Sequence, residues 1–368
     1  MESPTLEEWP EPIVPVQSLS DRGVTAVPDR YVKPPSQRRL LAGDDDRSDS
    51  PNIPVVDIGG LVATVDGSGE GRCRRSDDAA MQAISEACKE WGFFQVVNHG
   101  VSHGVVERMR GVWRSFFRLP MEEKKMYTNS PKTYNGYGSR VGVEKGAVLD
   151  WGDYFFLTVL PESAQILDKW PKVPHNLREI TEEYDHEMLK LCRVLTKAIS
   201  AGLGLDENYI YRAFGGEDVE ACVRANYYPK CPQPDLTLGL SPHSDPGGIT
   251  VLLADDHVKG LQVRKGDEWV TVKPIPGAFV INVGDQVQVI SNAKYKSVEH
   301  RALANAVERF SIAFFFNPNG RVPIGPAQEL ITPQSPPLYH PVTYNEYRLY
   351  VRKRGPHGKS QIDSLTAS

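Results

Sequence analysis

Asn226 to Leu253 reads NYYPKCPQPDLTLGLSPHSDPGGITVLL, short apolar runs broken by proline, glycine and aspartate. That texture is strand, turn, strand, and it persists downstream. After Gly215 the runs VRANYY, TVLLAD, LQVRK, AFVINVGD, KSVEHRAL and RFSIAFFF recur at spacings of about ten residues, as a β-sandwich or barrel requires.

Inside the quoted stretch lies the tripeptide His243-Ser244-Asp245. Alone it is uninformative, because a chain with nine histidines is expected to hold one such match by chance, in a polar turn as easily as in a site. A second histidine, His300 on KSVEHRAL, gives it weight. Two histidines and one carboxylate make the facial triad that holds ferrous iron and leaves coordination positions open. Alternate residues of a strand share a face, so His243 and Asp245 are expected to point inward together while Ser244 points away. Pro246, Gly247 and Gly248 are read as a sharp turn beside the metal.

The run RFSIAFFF alternates in the same way, with Arg309, Ser311 and Ala313 on one face and Phe310, Ile312 and Phe314 on the other. A solvated exterior would account for that polar face. With an iron site near, Arg309 and Ser311 are instead placed to bind the far carboxylate of a dicarboxylic cosubstrate, through a two-pronged guanidinium contact. In VRANYY, Arg224, Asn226 and Tyr228 likewise share a face and read as a pocket wall, the alternative being a buried ion pair for Arg224.

Upstream, apolar residues recur at helical spacing from Ser76 to Trp91, from Ser102 to Phe117 and from Leu177 to Leu203, three helices expected to serve as scaffold. NIPVVDIGGL (Asn52–Leu61) reads as a first buried strand. VPVQSLSDRGVTAVPDRYVKPPSQR reads as a short helix and an extended arm lying on the body, followed by LAGDDDRSDSP (Leu41–Pro51), a charged surface linker unable to order itself. Thr343 to Arg354 reads as a final helix, closed by Gly355-Pro356.

Composition narrows the partners. The net charge is −5 and no block of five or more basic residues occurs, so a nucleic-acid footprint is not indicated. Five scattered cysteines without a Cys-x-x-Cys pair suit a reducing cytosol or nucleus. The acidic, proline-interrupted start is unlike a secretory signal or transit peptide, and no apolar run reaches membrane-spanning length. A soluble protein acting on small molecules is expected, with neither nucleic acid nor membrane as partner.

These motifs together resemble the plant iron(II)- and 2-oxoglutarate-dependent dioxygenases. The likeness runs over nearly the whole chain, through GFFQVVNHGV (Gly92–Val101), the quoted stretch, INVGDQ (Ile281–Gln286), SVEHRAL and RFSIAFF. It implies a mainly β fold, a double-stranded β-helix or jelly roll, flanked by N-terminal helices and covered by a C-terminal lid helix. The implied division is an arm and disordered linker at 1–51, a helical domain at 52–215, the catalytic jelly roll at 216–325, and lid helix and tail at 326–368. It implies Fe(II) on His243, Asp245 and His300, and 2-oxoglutarate on Arg309 and Ser311 assisted by Tyr228 and Asn226. O2 is the co-reactant and ascorbate the reductant, in a monomeric cytoplasmic or nuclear enzyme. One departure is visible: the stretch from His300 to Arg309 is one residue shorter than in relatives, the gap falling in the loop Asn305–Glu308.

Within that family VPVQSLSDRGVTAVPDRYVKPPSQR, SPKTYNGYGSRVGVEKGAVLDWGDYFF and TYNEYRLYVRKRGP are most similar to the jasmonate-induced oxygenases, which hydroxylate jasmonic acid to its 12-hydroxy form. An anionic substrate has separate support: Tyr344, Arg348 and Arg352 follow one another at four-residue steps on the final helix, so that arginines there and Arg224 can clamp an acid. A solvated basic helix end is the bland reading of the same pattern. Phe316 is expected in the pocket wall, with Tyr134 and Tyr137 as further candidates and Asp150 and Trp151 near the entrance. The alternatives are a dioxygenase acting on a flavonoid such as a leucoanthocyanidin, and a non-catalytic sensor of a small acid.

Overall fold

Twelve strands, β1 Val55–Asp57, β2 Phe93–Val97, β3 Gly136–Gly138, β4 Asp153–Leu160, β5 Glu220–Tyr228, β6 Leu238–His243, β7 Ile249–Leu253, β8 Leu261–Lys265, β9 Glu268–Thr271, β10 Phe279–Val283, β11 His300–Leu303 and β12 Arg309–Asn317, build two sheets. They come from a computed structural model that describes residues 8–38, 52–65, 74–356 and 358–366. The larger sheet has the order β1-β2-β10-β7-β12-β5-β4-β3 and the smaller β6-β11-β8-β9. From β5 onward the chain passes between the sheets at each connection except the β8–β9 hairpin, which is the winding of a jelly roll. All pairings except β1 with β2 are antiparallel in these sheets.

Alternation along β12 sorts its side chains. Phe310, Ile312, Phe314 and Phe316 enter one core with Trp113, Met188 and Leu195 of the flanking helices, while Arg309, Ser311, Ala313, Phe315 and Asn317 line an internal cavity. The helices Arg74–Glu90, His103–Phe117 and Leu177–Gly202 thus cover the outer face of the larger sheet, as their periodicity requires. Trp113 is fully buried there and donates to Thr181 Oγ1 at 3.1 Å.

The larger sheet takes β1 to β4 from the chain before residue 215, so strands from both halves of the sequence share it. Residues 16–38 run as the short helix Val16–Asp21 and an arm along the body, tied by Val16 and Gln17 amides to the buried Asp153 carboxylate at 2.8 and 2.9 Å. The linker stretch Leu41–Pro51 lies outside the described residues.

The helix expected to close the chain spans Tyr344–Arg354, one residue shorter than the sequence suggests, because Thr343 is its cap in a capping box with Glu346, and a further short helix, Ser360–Asp363, follows it. Gly355 closes the longer helix with φ 76°, a conformation glycine adopts without strain. Among the described residues no helix is long and apolar enough to cross a membrane, and Cys88, Cys192, Cys222 and Cys231 are free thiols.

Candidate metal centre and cavity

His243 and His300 are direct cross-strand partners on β6 and β11, their rings 4.3 Å apart. Asp245 joins them from outside the sheet. β6 ends at His243, so Asp245 is not a second residue of the strand as the alternation argument had it; it sits in the turn that follows, its carbonyl accepting the Asp285 amide at 2.8 Å. Its Oδ1 lies 3.6 Å from His243 Nε2 and 3.7 Å from His300 Nε2.

Each group of the triad is held from behind. His243 Nδ1 is 2.8 Å from the Ser241 carbonyl and His300 Nδ1 is 3.2 Å from that of Val298, which puts the ring protons on Nδ1 and leaves both Nε2 lone pairs facing Asp245. Thr250 Oγ1 and Asn282 Nδ2 donate to Asp245 Oδ2 at 2.6 and 2.8 Å, leaving Oδ1 for the centre. Burial, with His300 nearby, pushes His243 down to about 4, so its ring is neutral. Burial opposes ionisation of Asp245, but His300 and His243, then the two hydrogen bonds, keep it below the usual carboxylate range. Two imidazoles and one carboxylate, with three ligand atoms within 4.8 Å, are a donor set that fits ferrous iron.

The glycines after Asp245 serve contact rather than turning. Neither Gly247 nor Gly248 has a positive φ. A Cβ on Gly247 would meet Asn317 Oδ1 at 1.9 Å, and one on Gly248 would meet the Phe214 ring at 2.2 Å.

The triad opens on a cavity of about 230 Å³ whose wall is the paired face of β5 and β12. Register places Arg309 opposite Tyr228, Ser311 opposite Asn226 and Ala313 opposite Arg224. Arg309 is buried, its Nε has no hydrogen-bond partner, and among the described residues no carboxylate pairs with it. A buried guanidinium without a counter-ion calls for an anion, and a dicarboxylic cosubstrate fits that demand. Gly260 makes room for it, since a Cβ there would lie 2.7 Å from Arg309 Cδ.

Five arginines line this cavity, and four of them rest on a tyrosine ring: Arg309 on Tyr228 at 5.2 Å, Arg224 on Tyr154 at 4.0 Å, Arg348 on Tyr344 at 5.4 Å and Arg352 on Tyr134 at 5.0 Å, while the fifth, Arg301, rests on Trp269 at 4.3 Å. Cation–π contact holds a guanidinium flat while its N–H groups stay available. Arg224 Nε has no partner. Arg348 pairs with Glu220 at 3.2 Å, and Arg352 donates to the Lys132 carbonyl at 2.8 Å. Burial, with Arg348 beside it, lowers Arg352.

Three expectations fail. Phe316 is 1% exposed in the helix-facing core, because it has the opposite parity to Arg309; Phe315 faces the cavity in its place. Trp151 is buried against Tyr31 of the N-terminal arm, and Tyr137 spends its hydroxyl on Asp153 at 2.7 Å. Asp150 does line the outer vestibule, paired with the buried Lys33 at 2.8 Å. Sequence reasoning missed Thr250, Asn282 and Glu220. Asn282 carried a signal, a polar residue in the otherwise apolar run FVINV.

Residues 219–318 match the 2OG-Fe(II) oxygenase superfamily, and residues 53–176 match the family described as non-haem dioxygenase in morphine synthesis N-terminal. Jasmonate-induced oxygenase 1 of Arabidopsis thaliana is 54% identical over 97% of this chain and 87% of its own length. Flavanone 3-dioxygenase 2 of Oryza sativa subsp. japonica is 42% identical over 90% of this chain and 92% of its own. The crystal structure of JOX2 in complex with 2OG, Fe, and JA superposes with a TM-score of 0.89 at 52% identity, covering 98% of this chain and 100% of that one.

Proposed function

The chain belongs to the 2OG-Fe(II) oxygenase superfamily, and from that premise we propose that it hydroxylates jasmonic acid to 12-hydroxyjasmonic acid, inactivating the hormone. One observation carries the substrate class: the cavity has two cationic ends. Arg224 stands opposite Ala313, four positions along β12 from Arg309, a separation of about 13 Å at strand rise. The cosubstrate answers the charge at Arg309. Arg224 and Arg352 have no carboxylate partner among the described residues and call for a second acid, beside Arg348, which Glu220 already pairs.

In this reading His243, Asp245 and His300 hold the iron. Arg309 and Ser311 bind the distal carboxylate of 2-oxoglutarate, with Tyr228 and Asn226 beside it. Arg224, Arg348 and Arg352 bind the substrate carboxylate, and Tyr344 and Tyr134 keep two of those guanidinium planes in place. Phe156, Phe315 and Val351 give the cavity an apolar wall for the alkyl part and exclude water. Iron(II) and 2-oxoglutarate, when bound, supply oxygen activation, coupling loss of CO2 from the cosubstrate to insertion of one oxygen atom into a C–H bond. The chain's own work is positioning: an acid fixed at its carboxylate presents its far, apolar end to the metal. Ascorbate keeps the iron ferrous, and the enzyme works as a cytoplasmic or nuclear monomer.

The test is anaerobic reconstitution with iron(II), 2-oxoglutarate and ascorbate, then mixing with jasmonic acid and O2 and mass spectrometry of the products. One oxygen gained per succinate formed supports the reading. Succinate release with flavonoids and none with jasmonic acid would move the chain toward the flavanone-oxidising relatives. Tight binding of jasmonic acid with no succinate would make it a sensor.

A further inference from the structure

The helix Tyr344–Arg354 presents Tyr344, Arg348, Val351 and Arg352 to the cavity, yet the residue before Arg348 turns the other way. Tyr347 is 2% exposed and its hydroxyl donates to Asp285 Oδ2 at 2.7 Å. Asp285 is fully buried at the start of the short helix Asp285–Ile290. The same Oδ2 accepts from Ser244 Oγ at 3.2 Å, Oδ1 accepts from Ser297 Oγ at 2.6 Å, and the Asp285 amide donates to the Asp245 carbonyl at 2.8 Å. Gln286 completes the attachment, its side chain reaching the Pro246 carbonyl at 2.9 Å and its amide the Gly247 carbonyl at 3.0 Å.

One buried carboxylate therefore touches both the turn that carries Asp245 and the helix that carries two of the three clamp arginines. We propose that Asp285 and Tyr347 are a positioning pair that keeps the acid clamp in register with the metal turn. The reason is rotational. Residues of a helix advance by about 100° each, so a fixed Tyr347 sets the azimuth at which Arg348 and Arg352 meet the cavity. The capping box at Thr343 fixes where the helix starts but not how it rolls. Without the pair, the helix keeps its cap and its arginines, but the clamp holds the substrate at a variable distance from the metal. Cosubstrate turnover then continues while hydroxylation fails.

This inference rests on the acid-clamp reading, and the experiment separates the two. Wild type, Tyr347→Phe and Ser297→Ala enzymes are loaded with iron(II). For each, 2-oxoglutarate affinity without substrate, KM for jasmonic acid, and the ratio of hydroxylated product to succinate are measured. Tyr347→Phe raises KM roughly tenfold and lowers the ratio severalfold, the size of one hydrogen bond to a charged group, with 2-oxoglutarate affinity unchanged. Ser297→Ala removes a bond to the same carboxylate without touching the helix Tyr344–Arg354 and leaves all three quantities within about twofold. An unaltered KM and ratio in Tyr347→Phe overturns the proposal, as does the same loss in both variants, which would make the carboxylate a folding element only. Should Tyr347→Phe not fold, Ser244→Ala removes the side-chain part of the link on the metal side, the amide of Asp285 and Gln286 still holding the turn, and must lower the ratio in the same direction by a smaller factor. If wild type forms no hydroxylated jasmonate, the substrate reading falls and the pair is read by hydrogen exchange. Faster exchange across residues 344–354 in Tyr347→Phe supports it; unchanged exchange sinks it.

Discussion

Thr250 Oγ1 lies 2.6 Å from Oδ2 of Asp245, on the side of the carboxylate turned away from the two histidines. Asn282 takes the same oxygen at 2.8 Å, so Asp245 can offer an ion only Oδ1. Such partners of a ligand typically carry a factor of 10–100 in metal affinity. Thr250→Val keeps the shape and removes the donor. Iron(II) affinity should fall by roughly tenfold, read by titration under argon, while kcat at saturating iron stays near wild type.

Arg309→Lys keeps the charge in the cavity and loses the planar fork, which is why the swap is not conservative at a two-pronged site. KM for 2-oxoglutarate should rise by roughly two orders of magnitude, with iron affinity retained. Equal KM values for the two enzymes would place the cosubstrate elsewhere.

Metal removal should register as stability, because ion binding to the folded chain alone adds free energy by mass action. Iron(II) at 100 times its dissociation constant contributes about 2.7 kcal/mol, a melting shift of roughly 5 °C that a chelator reverses. Asp245→Ala should show no such shift, and iron-dependent stabilisation of that variant would overturn the assignment of the triad.

Arg348 pairs with Glu220, which is itself anchored by the Gly320 amide at 2.8 Å. Arg348→Ala therefore both loses a clamp donor and leaves a carboxylate close to the incoming acid. KM for jasmonic acid should rise by about a hundredfold, and the double variant with Glu220→Gln should recover roughly tenfold of it. No recovery would mean that Glu220 only holds the guanidinium in place.

The triad and the polar, cavity-lining face of Arg309 and Ser311 were legible because each rests on local pattern: His-x-Asp, a histidine on a later strand, and the alternation of RFSIAFFF. What depended on distant chain was not. Glu220 and Arg348 are 128 residues apart, and nothing local marks them as partners. Phe93–Val97 and much of Asp153–Leu160 are apolar runs with no clear alternation, which periodicity cannot tell from buried helix, so their places in the larger sheet stayed hidden. Asp245 was identified correctly as a member of the cluster for an incomplete reason, since the strand ends two residues before it.

Phe315 and Phe316 show how far alternation can be pressed. Arg309, Ser311 and Ala313 face the cavity, and the same count reaches Phe315 and leaves Phe316 for the helices. The two rings are neighbours in sequence and should fail in different ways. Phe316→Ala empties a ring-sized space in a sealed core and should cost about 3–5 kcal/mol of stability, seen as a lower denaturation midpoint, while the product pattern of the folded fraction stays unchanged. Phe315→Ala enlarges the wall facing the substrate instead. It should cost less stability, and it should raise KM or spread oxygen over more than one carbon of the tail, because the bound chain gains room to move. Mass spectrometry of the product isomers beside a denaturant titration distinguishes the two, and a reversed pattern would mean that β12 is shifted by one residue against β5.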